Sequence, residues 1–172
     1  MKLEDAIKLR RLIDIDTAPN TDNVYTGICL VANSEIIMLL SLDEENGEFD
    51  GFTIVQNKDV EKYRIWEEED YSELKNDNSE SLIASVDLNN FTDLETSLKS
   101  LTSDLVAIFT YEDENTFFVG EVLSVNKNSV ELHLVSGDAK WLENIVIMLS
   151  DISYLGFDTS YEREIKKKLA QK

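Results

Sequence analysis

Apolar residues gather in two short runs over Val24–Leu42, VYTGICLVANSEIIMLLSL, parted by polar residues at Asn33-Ser34-Glu35. Short apolar runs bounded by turn residues predict two strands, and Asn33-Ser34 between them predicts a tight turn. The pattern returns at Phe117–Ser136, FFVGEVLSVNKNSVELHLVS. A shift of 93 positions superposes Leu12 on Leu105, Ile15 on Ile108, Gly27 on Gly120, Leu30 on Leu123, Asn33 on Asn126 and Leu39 on Leu132. Further on, a shift of 92 matches Asp59 with Asp151 and Val60 with Ile152. One such match is chance, but a near-constant offset over most of two halves predicts an internal repeat.

Each half reads as a helix followed by five short strands. In the first, Lys2–Arg11 places Leu3, Ala6 and Ile7 on one face, with acids in the first turn and bases in the last. The strands then expected are Leu12–Thr17, Val24–Ala32, Glu35–Leu42, Gly51–Asn57 and Lys62–Trp66. Leu12, Asp14 and Asp16 would face water, opposite Ile13 and Ile15. Ala18–Asn23, with the only proline, and Asp43–Asp50 read as loops. Glu67–Ser81 is polar and acidic and reads as a linker, and Ser81–Leu88 as a short strand or an ordered connection. In the second half Thr92 caps a helix over Thr92–Leu101, with Glu95 at capping-box spacing. The strands expected there are Leu105–Tyr111, Phe117–Val125, Ser129–Ser136, Asn144–Leu149 and Ser153–Phe157, before a helix at Tyr161–Ala170. The domains are thus drawn at 1–66 and 91–172, with an acidic connection over 67–90.

Gly27 and Gly120 inside strands mark bends of the kind that close a short sheet on itself. This order of elements resembles the Sm-like or SH3-like small-barrel class. The residues that carry the resemblance are the two glycines, Asn33 and Asn126 at the hairpins, and Val60 and Ile152 before the last strands. The tail ISYLGFDTSYEREI is similar to segments of uncharacterised bacterial proteins. The resemblance implies a mainly β fold with short helices (α+β): two five-stranded small barrels in tandem, each preceded by a helix. RNA-binding members of the Sm-like class carry an arginine-glycine pair near the last strands. The corresponding positions here are Gln56-Asn57-Lys58 and Met148-Leu149-Ser150.

Charge changes the picture most. The 172 residues carry 35 acids and 16 bases, a net charge of −19. Such a field repels phosphate backbones and anionic lipid and draws in cationic surfaces. With the missing arginine-glycine pair, it argues against nucleic-acid binding. The N-terminus lacks a signal-peptide core and the apolar runs, such as Ile36–Leu40 and Ile145–Leu149, are too short to span a bilayer, so a cytoplasmic protein is expected.

Candidate chemistry is sparse. Cys29 is the only cysteine, which forbids an intrachain disulfide and reads as a buried inert thiol. His133 is the only histidine and reads as a half-exposed strand residue. Asn46-x-Glu48-x-Asp50-Gly51 resembles the first half of a calcium loop, but Asn57 stands where a bidentate Glu is required, so a loop bent at Gly51 is the expectation. There is no glycine-rich phosphate loop and no nucleophile elbow, so no cofactor, metal site or catalytic set is assigned. The informative surface candidates are aromatics beside acids: Trp66 with Glu67, Glu68, Glu69 and Tyr71, and Tyr111 with Glu112, Asp113 and Glu114. That composition suits a patch that docks a basic protein. The sequence therefore reads as a non-enzymatic acidic protein-binding module, for instance an immunity-type inhibitor of a basic toxin or nuclease. The alternatives left open are a structural or adaptor module of a bacterial assembly and a small hydrolase with dispersed carboxylates.

Overall fold

The computed structural model describes residues 1–17, 23–71, 78–113 and 115–172. The expected loop at Ala18–Asn23 and part of the acidic linker fall largely outside them. The chain divides into two units, Met1–Thr92 and Asp93–Lys172.

The first unit begins with α1 (Leu3–Lys8), followed by β1 (Leu12–Thr17), β2 (Val24–Ala32), β3 (Ile36–Asp43), β4 (Glu48–Gln56), a 3₁₀ turn at Asn57–Asp59 and β5 (Val60–Ile65). The helix stops before Arg11 because Arg10 turns left-handed, φ 53°, and Arg11 N–H bonds back to the Ala6 carbonyl at 2.9 Å. Glu68–Tyr71 forms a further 3₁₀ turn, and the ambiguous stretch after it contains α2 (Ser79–Ala84). Strand order within this unit is β5-β1-β2-β3-β4. Ile13, Ile15, Met38, Leu40, Phe52 and Ile54 are fully buried. Leu12, expected on the wet face, is buried too. Asp14 and Asp16 on that strand are partly covered and matched by bases: Arg64 at 3.1 Å and Lys62 at 2.9 Å, with the Thr26 hydroxyl donating to Asp14 at 2.8 Å.

The second unit begins with α3 (Leu94–Ser100), followed by β6 (Leu105–Thr110), β7 (Phe117–Val125), β8 (Ser129–Val135), β9 (Trp141–Met148), a 3₁₀ turn at Leu149–Asp151, β10 (Ile152–Phe157) and α4 (Ser160–Ala170). Asp93, not Thr92, caps α3: its Oδ1 accepts from Thr96 N–H at 2.7 Å. An aspartate satisfies the orphan first-turn donors as well as a threonine and also favours the helix dipole. Strand order is β10-β6-β7-β8-β9. β6 is buried on both faces, because α4 lays Ile165 and Leu169 over Leu105, Ala107, Val119 and Val135.

The expectation of two closed five-stranded barrels is corrected. Within the first unit the strands run β5-β1-β2-β3-β4 and within the second β10-β6-β7-β8-β9, each an open order in which neither set of five closes on itself. β9 pairs with β8, and β5 pairs with β1. An internal glycine signals a close approach or a bend; closure additionally requires the end strands to find each other, which glycine does not encode.

The approach itself is present at both glycines. Gly120 lies opposite Leu134, and a Cβ built on it would meet the His133 carbonyl oxygen at 2.6 Å. A Cβ on Gly27, opposite Ser41, would collide with the Leu40 carbonyl. Neither glycine has a positive φ, so close backbone contact is the constraint. Two residues on, each strand bulges, between Cys29 and Val31 in β2 and between Val122 and Ser124 in β7. The bulges sharpen the local twist. Each hairpin then closes on an asparagine. Asn33 Oδ1 accepts from Glu35 and Ile36 N–H at 2.8 and 2.9 Å, and Asn126 Oδ1 from Asn128 and Ser129 N–H at 2.9 and 3.0 Å.

The contact at Gly120 is with backbone, which cannot swing aside. Gly120→Val is therefore expected to cost roughly 1–3 kcal/mol and to lower the thermal midpoint. An unchanged midpoint by calorimetry would show that the strands do not approach there.

Candidate functional site

The unit Asp93–Lys172 exposes an apolar edge. β9 carries WLENIVIM and stands last in the strand order, hydrogen-bonded to β8. Its alternation puts Ile147 into the core, but much of the rest of the strand is open: Val146 is 65% exposed, Leu142 47%, Met148 45% and Trp141 43%. Glu143 is its only charge. β5, an end strand of the first unit, is built differently. Its VEKYRI carries Glu61, Lys62 and Arg64, the charge pattern that protects free edges from pairing. β9 has no lysine, arginine or proline to serve that purpose.

The turn that feeds β9 is rigidly held. Ser136 N–H bonds the Lys140 carbonyl at 2.9 Å, and Ala139 is buried with a left-handed φ of 60°. Asp138 accepts the Ser136 hydroxyl at 2.6 Å and pairs with Lys140 at 3.0 Å, and these partners, the hydroxyl first, lower its pKa to about 2. At the start of β9, Trp141 stacks on His133 with centroids 4.3 Å apart and planes 18° from parallel. Beside them Glu131 accepts from Ser124 at 3.3 Å and from Asn144 at 3.4 Å. His133 is thus an aromatic platform on a strand, half-exposed as expected.

At the other end of β9 lies a groove of about 330 Å³, walled by Phe118, Ile145, Ile147 and Met148 and rimmed by the carboxylates of Glu112 and Asp151. Both acids are exposed, and neither has a cationic partner among the described residues. An apolar trough with carboxylates at its rim fits a long cationic side chain, stem inside and charge at the mouth.

The aromatic–acid sites expected from sequence divide between the two units. Trp66 is half-buried, its indole N–H covered and without an acceptor among the described residues, and Arg64 lies 5.0 Å over its ring. Glu67, Glu68, Glu69 and Asp70 are exposed, and Glu68 pairs with Arg11 at 3.3 Å. Tyr71 ends the 3₁₀ turn. Tyr111 is half-buried, its N–H bonded to the Asp151 carbonyl at 3.0 Å, which brings the second acidic run to the groove. Within that run Asp113 turns inward on its own loop. The Thr116 side chain, then Asn115 N–H at 3.0 Å, hold its carboxyl below the usual range. Glu114 lies outside the described residues. Of the second run, Glu112 alone lines the groove.

The groove's apolar wall was missed by sequence reasoning, which began the strand at Asn144 and treated Ile145–Leu149 only as a run too short for a bilayer. The sequence carried no signal for it, because residues alone do not show which strand ends a sheet.

The remaining candidates are accounted for by the fold. Gly51, φ 72°, sits where Leu40 faces Phe52 and Leu42 faces Phe49, so Asp50-Gly51 forms a bulge in β4. Glu48 pairs with Asp43 across the hairpin. Among the described residues no group of three or more His, Cys, Asp and Glu side chains is placed to hold a metal, and no helix is long and apolar enough to cross a membrane. In comparisons with protein-family models, curated proteins and solved structures, nothing matches this chain.

Cys29 is fully buried in β2, and desolvation pushes its thiol up to about 12. The neutral form therefore persists through pH 8, and alkylation by iodoacetamide is expected on the order of a thousandfold slower than for free cysteine, accelerating as pH rises past about 10. Labelling at the free-thiol rate in the native protein would contradict the burial.

Proposed function

We propose that this chain is a non-enzymatic acidic module that binds a protein with a basic surface, in the manner of an inhibitor or immunity-type protein acting on a basic toxin or nuclease. One observation supports the reading above others: the open β9 edge beside Glu112 and Asp151, which have no cationic partner among the described residues, on a chain of net charge −19. Exposed apolar residues supply contact area, and the acids steer a cationic partner in and reject anionic ones. Trp66 with Glu67, Glu68 and Glu69 is a second contact region in this reading, with Arg64 already seated on the indole. A nucleic-acid partner is disfavoured by the same charge. The cytoplasm is the setting this reading assumes.

We also infer that the two units descend from one duplicated unit. The support is paired detail at the shift of 93: left-handed Arg10 and Ser103 after the helices, crowded Gly27 and Gly120, and asparagine-closed hairpins at Asn33 and Asn126. The resemblance to the Sm-like class rests on the order of elements and on Gly27, Gly120, Asn33, Asn126, Val60 and Ile152.

The first experiment is a pull-down with the native chain at low and high salt. A basic protein retained at low salt and released at high salt is the expected outcome. With that protein in hand, changing Glu67, Glu68 and Glu69 to Gln should slow association, and Trp66→Ala should speed dissociation. Recovery of an acidic partner, or retention indifferent to salt, would overturn the electrostatic reading.

A further inference from the structure

We propose that β9 receives an extended strand from the basic partner, and that a lysine or arginine of that strand enters the groove below the edge. The inference rests on the protein-binding reading above and specifies where and how the partner docks.

Three features meet at β9. An end strand presents a row of backbone donors and acceptors that its own sheet does not use, a template for a further strand. The side chains along that edge are apolar on both faces: Trp141, Leu142, Val146 and Met148 are all exposed, so an added strand would find hydrophobic neighbours at successive positions. The groove then selects among strands. Its walls, Phe118, Ile145 and Ile147, suit a methylene stem, and Glu112 and Asp151 at its rim call for a cation at the tip. A purely aliphatic strand would leave the two carboxylates crowded against apolar surface without a counter-charge. An acidic strand would add like charge to them.

A second copy of this chain is a poorer occupant than a basic strand. It would bring another net charge of −19 to the edge, with Glu143, Glu112 and Asp151 duplicated across the contact. The contrast with β5 points the same way. There the strand's own Lys62 and Arg64 are spent on Asp16 and Asp14, whereas the acids beside β9 have no such partner among the described residues.

The test uses the full chain and a short capped peptide in which valine and lysine alternate. Two control peptides accompany it: a fully N-methylated counterpart, with the same charges and no backbone N–H, and one alternating valine and glutamate. Affinity is read by fluorescence anisotropy and location by amide hydrogen exchange. The valine–lysine peptide is expected to bind and to slow exchange within 141–148. N-methylation, or the double change Glu112→Lys with Asp151→Lys, should each weaken it by about tenfold or more. Both acids are exposed, so the double variant keeps its fold, which circular dichroism verifies. Binding that ignores N-methylation, or that protects 62–71 and not β9, would overturn strand addition and leave the basic-partner reading standing. Equal binding of the glutamate peptide would overturn both. Concentration-dependent self-association in sedimentation, abolished by Val146→Lys, would show that a second copy occupies the edge and overturn the proposal.

Discussion

The feature on which the rest of each unit depends is the close backbone approach at its internal glycine. In β7 the strand lies so near β8 that a single methyl group on Gly120 would strike the His133 carbonyl, and β2 meets β3 in the same way at Gly27. The bulge two residues later and the asparagine-closed hairpin beyond it complete the path of the strand pair. With that path set, apolar alternation places Val130, Leu132 and Leu134 in the core and leaves Glu131 and His133 on the other face. The last strand of the meander then has one neighbour among the described residues, and its outer edge is the surface we propose for recognition.

The end strands β5 and β9, one in each unit, obey different rules. β5 is an end strand defended by charge, and its bases neutralise acids that β1 would otherwise hold half-covered. β9 is an end strand left apolar, in a chain whose acidity elsewhere is ample for solubility. Exposed hydrophobic edges invite unwanted pairing, so one that persists beside a groove with unmatched carboxylates has a cost that a partner's strand would offset. The acids also limit the hazard, since like-charged copies repel at the same place.

Much of this was legible from the pattern of residues, but unevenly. The extent of β7 follows from alternation alone, and Asn33 and Asn126 announce their hairpins because a short amide side chain bonds the backbone of its own turn. The end of α1 was not legible, because Arg10 takes the left-handed conformation that glycine ordinarily signals. The start of β9 was hidden behind a turn built on Ala139, again a left-handed residue without glycine. Barrel closure was wrongly inferred from Gly27 and Gly120, since a glycine reports only its own neighbourhood. The candidate site was half legible: Glu112 was singled out for its aromatic neighbour, but Ile145–Met148 was assigned no surface role. That hydrophobic residues lie inside is a one-way rule, and no pattern in the sequence distinguishes an apolar strand that is covered from one that is not.

The claim on which recognition turns is that the outer edge of β9 is open in the free protein. Through-space proton contacts measured by NMR on the isolated chain test it directly. Interstrand amide and α-proton contacts are expected from residues 141–148 to 129–135 of β8 and to no other strand. Amide or α-proton contacts from Ile145 or Ile147 to the amide or α-protons of β10 or β6 would mean that the five strands close into a barrel, and would leave no edge for a partner to join.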